Sequence, residues 1–196
     1  FAPLAMPSPL LNFDGPSSDD RAALFGNRVM PPDTQGDVGL NHYVSMVNGP
    51  VAIYNKPTGA LAVPQFKLSA LFASLPAGNL CRVNDNGDPI VPYDTLAQRW
   101  MISQFALAST ANPPWFECIA VSQTDDPTGA WYVWAFQTPD NGGFPDYPKL
   151  GIWRDAYYMT THQNGFLAPP SAAGRGTGFF AFDRARLLAG DPAATF

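Results

Sequence analysis

An all-β chain is what this sequence predicts, on three observations. One pattern comes round three times: Asp37 opens DVGLNHYVSMVN, Asp88 opens DPIVPYDTLAQRWMISQF and Asp146 opens DYPKLGIWRDAYYMTT. Each is an acidic residue, a short apolar run, a polar turn and a second apolar run with aromatics. Each block is then followed by another strand-like run that ends in a turn: VAIYNKPTGAL from Val51, IAVSQTDDPTGAW from Ile119 and FFAFDRARLLAG from Phe179. The tetrapeptide Pro-Thr-Gly-Ala recurs at 57–60 and 127–130, at the same place in its unit. Finally, 21 Pro and 17 Gly stand singly between apolar runs, the punctuation of frequent tight turns and not of disorder. Units of about 40–50 residues built from short strands are the signature of propeller blades. The expected architecture is a partial β-propeller of about three four-stranded blades (31–196) behind a Pro-rich N-terminal arm (1–30).

Within the arm, Ser18 or Asp19 is positioned to cap a helical turn through Leu24 and Phe25. In the first block, HYVSMVN and PVAIYN alternate as half-buried strands do. The stretch 66–75, FKLSALFASL, spaces Leu68, Leu71, Phe72 and Leu75 as a short helix would, and VNDNGDP then turns sharply. The second block supplies four strand candidates in order, PIVPYD, RWMISQFA, FECIAVSQT and WYVWAFQT, with turn chemistry at Asp94-Thr95 and at 125–129. The third runs KLGIW, AYYMTTH and GFFAFD, and then ARLLAGDPAATF offers no evident fourth strand. Three blades do not close a ring, since propellers use about four to eight. Further blades from the same chain or from other copies are therefore expected, because an open array exposes apolar blade faces.

Hydrophobic residues make up 46% and aromatics 13%, ample for a core, while the formal charge of −5 and the lack of a Lys/Arg cluster exclude a phosphate-backbone partner. No apolar run approaches the roughly 20 residues that cross a bilayer as a helix. The sequence starts at Phe1 with no basic leader and has few lysines (Lys56, Lys67, Lys149), which reads as a trimmed, secreted chain, extracellular or periplasmic. The only cysteines, Cys81 and Cys118, fit no zinc spacing. They fall where one blade could bring them together, so a disulfide is expected, with two buried thiols as the alternative.

If the blocks align, Asp37, Asp88 and Asp146 stand at equivalent stations near the mouth of a central channel. Converging carboxylates there are costly unless hydrogen-bonded, protonated or bound to a cation. Three readings stay open: a glycosidase-type acid/base pair, a calcium site, or caps on each residue's own turn. Asp85, Asn86 and Asp88 read either as a simple calcium loop or as an ordinary Asx/Gly turn, and the register and the missing Glu exclude an EF-hand. Trp115, after Asn112-Pro113-Pro114, reads as a turn residue able to stack a sugar. His42 and His162 occupy equivalent-looking strand positions, as a ligand-binding pair or as structural histidines. No Gly-x-Ser-x-Gly, P-loop or Gly-x-Gly-x-x-Gly is present, which leaves serine-hydrolase and nucleotide chemistry without support.

The strings PPDTQGDVGLNHYVSMVN, GDPIVPYDTLAQRWMISQFA, ECIAVSQTDDPTGAWYVWAF and FPDYPKLGIWRDAYYMTT resemble those of predicted secreted bacterial multidomain proteins of unassigned activity, over about Pro31 to Asp191. The resemblance implies an exported protein with a propeller, sialidase-like module and supplies no reaction. More distantly, Gly87-Asp88-Pro89 and Glu117-Cys118 resemble a stabiliser and an acid of furanosidase propellers. The basic residue before the Asp-Pro is missing, and the repeat alignment puts Glu117 in the blade of Asp88 instead of the next one. The functional expectation is a binding or structural module for a glycan or protein partner; the alternative is a glycan-processing hydrolase using channel carboxylates, Glu117 included.

Overall fold

A computed structural model describes residues 6–139, 143–163 and 176–196. Among these residues twelve strands fall into three antiparallel sheets in which neighbouring strands follow chain order, β6 pairing with β7 off the main path. The first blade is β1 (Gln35–Val38), β2 (His42–Met46), β3 (Pro50–Asn55) and β4 (Phe66–Lys67). The second is β5 (Gly87–Ile90), β7 (Arg99–Leu107), β8 (Trp115–Ser122) and β9 (Trp131–Gln137), with β6 (Tyr93–Asp94) also paired to β7. The third is β10 (Pro145–Ile152), β11 (Ala156–Gln163) and β12 (Thr177–Asp183). Tandem meanders are what a partial propeller requires, and β5 touches both β1 and β10, so the first strands of all three blades lie side by side.

Period-2 patterning explains the stacking. Strand β7 is buried on both faces, because the middle blade has a neighbour on each side. Its even-numbered residues Trp100, Ile102 and Ala106, with Cys118 and Ala120 of β8, pack against Val44, Met46, Val51 and Ile53 of the first blade. Met101 of β7 and Ile119 and Val121 of β8 face the other way, onto Tyr157, Met159 and Phe182 of the third.

The arm covers the outer side of the first blade; its first five residues lie outside the described region. Its helix α1 (Ser18–Phe25) is capped one residue earlier than expected, by Ser17 in a capping box with Asp20. Ser17 is the residue whose extended backbone frees its hydroxyl for the amides of Asp19 and Asp20. Phe25 lies against Gly49, whose φ of 108° and lack of a Cβ permit that approach. Phe13 packs on Tyr54 at 4.9 Å. The 66–75 stretch gives β4 and a 3-10 turn (Leu68–Phe72) instead of a longer helix, which buries Leu68 and Phe72 under the first blade. In the third blade a fourth strand is absent among the described residues, and helix α3 (Arg184–Ala189) follows β12, capped by Asp183 and ended by Gly190.

Cys81, in the single-turn helix α2 (Leu80–Val83), is disulfide-bonded to Cys118 of β8 with Cα atoms 5.6 Å apart. The bridge closes a 37-residue separation and pins the crossover between the first two blades to the middle of the second. Replacing both cysteines by serine is expected to cost roughly 3 kcal/mol, read from the denaturant midpoint of urea melts. An unchanged midpoint would show that core packing alone holds the crossover.

Candidate functional site

The expected equivalence of the three aspartates does not hold in register: Asp37 stands one residue before the end of β1, whereas Asp88 and Asp146 are the second residues of β5 and β10. Asp37 lies opposite Val44 and Asp146 opposite His162, while Asp88 falls beside the Gly87–Phe105 pair. All three occupy the first strand of their blade, but Asp37 lies at the hairpin end and Asp88 and Asp146 at the opposite end. Their carboxylates act across the joints. Asp37 accepts from its own neighbour Val38 N at 2.7 Å and from Tyr93 N of the second blade at 2.7 Å. Asp88 accepts from Tyr147 N of the third blade at 3.1 Å, and that amide also donates to Asp146 at 3.0 Å. These groups cap turns, and two of them also latch one blade to the next.

Of the three, Asp88 lines a cleft. That cleft, about 190 Å³, is bounded by Asp33, Thr34, Gln35, Asp88, Tyr147 and Lys149 among others. Three of its residues hold positive φ despite carrying side chains: Asp33 at 42°, Asp88 at 47° and Tyr147 at 51°. Such backbone costs of order 1–3 kcal/mol each and gathers where the surroundings impose it for a purpose. The imposing contacts are visible. Asn48 donates to Asp33 at 2.5 Å and to Pro31 O at 2.8 Å, and it accepts from Asp88 N at 2.9 Å. Lys149 Nζ sits 3.6 Å from the centre of the exposed Tyr147 ring. Burial, with repulsion from Asp33 and Asp146, pushes Asp88 up to about 6, against the opposing pull of the Tyr147 amide and Lys149.

Behind the cleft stands Glu117, in β8 of the same blade and opposite Phe105. It is fully buried, and among the described residues neither carboxyl oxygen has a hydrogen-bond partner. Ser103 Oγ faces it and tempers the shift without closing a bond of normal geometry. Burial pushes Glu117 up to about 8, and the nearby Asp88 adds to this, so it is protonated at neutral pH.

Other expected site residues do not join this group. Trp115 is 4% exposed, the first residue of β8 and not a turn residue. It packs with Phe105, Leu107 and Phe144, and its indole donates to Ser109 O; the double proline ends just early enough for Trp115 to pair with Leu107, so it offers no sugar platform. His42 and His162 are not equivalent, because His42 opens β2 whereas His162 is the penultimate residue of β11. His42 instead lies 4.0 Å from Asp126. The proposed calcium loop is pulled apart by separate duties: Asp85 accepts from Ser69 N and Oγ, Asn86 from Leu107 N, and Asp88 from Tyr147 N. No cluster of His, Cys, Asp or Glu suited to a metal occurs among the described residues. Conversely, Asp33, Tyr147 and Lys149 were not singled out by sequence, and the signal for Asp33 is weak: an Asp after two prolines, at a forced turn.

No family model matches the chain, and no curated protein does. It is similar to the crystal structure of an exo-1,5-α-L-arabinanase from a bovine ruminal metagenomic library, at 9% identity and a TM-score of 0.45. The match covers 77% of this chain and 52% of that one, so this chain spans about half the length of the matched structure. A likeness at that level carries no argument about activity.

Proposed function

We propose that the chain is a β-propeller-type binding module of an exported protein, and that the Asp33–Asp88–Tyr147 cleft holds a small hydroxyl-rich ligand of the glycan class. The observation that carries the reading is the convergence of three strained, non-glycine residues on one cleft. At about 190 Å³ the cleft is smaller than the roughly 300–1,000 Å³ of drug-sized pockets, which suits one sugar ring. Its lining mixes carboxylate and amide acceptors with ammonium and hydroxyl donors, as hydroxyl recognition requires. Export is supported by the disulfide, a bond that oxidising compartments preserve. No helix among the described residues is long and apolar enough to cross a membrane.

A glycan array followed by calorimetry tests this. Binding is expected to strengthen as pH rises through about 6, where Asp88 ionises and becomes a pure acceptor. Asp88→Asn is expected to weaken binding about tenfold and to flatten that pH profile. An array with no hits, or an Asp88→Asn variant that binds like wild type, overturns the reading.

A second reading, glycan hydrolysis, is favoured by one observation: Asp88 and Glu117 hold unequal proton affinities, about 6 and about 8, as acid/base pairs do. Against it, Glu117 is sealed from solvent, and Asp37 and Asp146 are engaged with backbone amides. Turnover of a chromogenic glycoside panel, lost in Asp88→Asn, would replace the binding reading.

A further inference from the structure

A second surface lies on the outer strand of the middle blade, away from the cleft. Strand β9 pairs with β8 over seven consecutive residue pairs without a bulge, and among the described residues its other edge has no strand partner. The ladder is bracketed by Gln123 N to Ala130 O and Thr138 N to Trp115 O. Antiparallel pairs alternate in hydrogen bonding, so Tyr132, Trp134 and Phe136 direct their N–H and C=O groups to β8. Trp131, Val133 and Ala135 direct theirs outward, and among the described residues these backbone groups have no hydrogen-bond partner.

The edge lies in a groove of about 540 Å³. One wall is Ser74, Leu75 and Asn79, and the other is Gly190, Pro192 and Ala194. Trp134 Nε1 donates to Asp191 O at 3.0 Å and fixes the second wall to the strand. Natural sheets blunt exposed edges with lysine, proline, bulges or very short strands. The first blade does so, since its outer strand β4 is two residues long and carries Lys67. Strand β9, WYVWAFQ, has none of these devices. None of the residues lining the groove is charged, in a chain of net charge −5.

We propose that this groove receives an uncharged, extended polypeptide segment that pairs with β9 as one further strand of the sheet. Recognition is through the outward N–H and C=O groups of Trp131, Val133 and Ala135. These repeat every ~6.8 Å over ~14 Å, which sets the occupant at about five residues. The neutral walls select against Asp, Glu, Lys and Arg in that segment, because a charge there loses hydration without a partner.

The test titrates the 15N-labelled full chain with a capped heptapeptide of alternating threonine and valine, and with the same peptide N-methylated at alternate residues. The expected result is saturable movement of the Trp131, Val133 and Ala135 amide signals in the sub-millimolar range by the first peptide only. Val133→Pro deletes one outward N–H and leaves the β8 ladder intact, and it is expected to weaken binding about tenfold. Ala135→Lys, which places a charge in the groove, is expected to do the same. The N-methylated peptide keeps the test decisive if either variant fails to fold. Unmoved signals, or equal binding of both peptides, overturn the proposal. Self-association that Val133→Pro dissolves, with no peptide bound, assigns the edge to a second copy and overturns it equally.

Discussion

Replacing Glu117 by glutamine is expected to leave stability almost unchanged near about pH 4 and to raise it by on the order of 5 kcal/mol above about pH 8. In the folded chain this carboxyl keeps its proton up to about 8, because it is fully buried and unpartnered and Asp88 lies nearby. In the unfolded chain it ionises near the ordinary glutamate value of 4.5. The native state thus binds the extra proton between those two values. Stability is fully present below the lower one and falls with a slope of roughly 1.4 kcal/mol per pH unit until the upper one is passed. Glutamine keeps the shape and cannot ionise, so the difference between variant and wild type should open with pH and then plateau. Denaturant melts from acid to alkaline pH read this directly. Parallel curves for the two proteins would mean that water or rearrangement already solvates the carboxylate.

Removing Asp94 should have the second large effect. Its carboxylate is 0% exposed and accepts from Leu96 N and Ala97 N in its own turn, from Tyr157 Oη at 2.8 Å and from Arg184 Nε at 2.7 Å. It therefore bolts the second blade to β11 and to the start of α3. Burial alone would raise its pKa, but the Arg184 and Tyr157 bonds outweigh that and hold it below the usual carboxylate range. The contribution is present above the ordinary pKa and is lost as pH falls through the depressed one, the opposite sense to Glu117. Asp94→Ala strands a largely buried guanidinium, so a loss of about 3–5 kcal/mol is expected. Adding Arg184→Leu should recover part of it, since the orphaned charge goes too. A single variant within about 0.5 kcal/mol of wild type would show that the pair merely offsets its own desolvation.

The architecture was legible because its signals are local: an acidic residue before a short apolar run, a Pro-Thr-Gly-Ala turn, alternation at period 2. Even the cysteine pairing followed from where the two residues fall within one repeat. What sequence could not convey were partners distant along the chain. Asp94 reads as ordinary turn chemistry, and its amide bonds to Leu96 and Ala97 agree with that. Its ties to Tyr157 and Arg184 depend on how two blades stack. Glu117 sits in the strand FECIAVSQT, where one polar residue suggests a solvated face; the middle blade has no solvated face in its central strands. Trp115 was misplaced by one residue's worth of turn, and the His42–His162 pair by equating opposite ends of β2 and β11. Asp33 is not legible because its importance lies in a backbone angle that Asn48 imposes from the turn between β2 and β3.

The two joint-spanning aspartates differ from ordinary side-chain pairs in what they demand of their counterparts. The hooks at Asp37 and Asp88 need a carboxylate, yet each is caught by a main-chain N–H, at positions 93 and 147. Nineteen of the twenty amino acids present that group, proline alone excepted. Drift in the receiving blade therefore cannot undo the fastening, whereas a single change in the sending blade can. Such a one-sided lock lets copied modules diverge freely along their receiving edges while still clicking together in the same order.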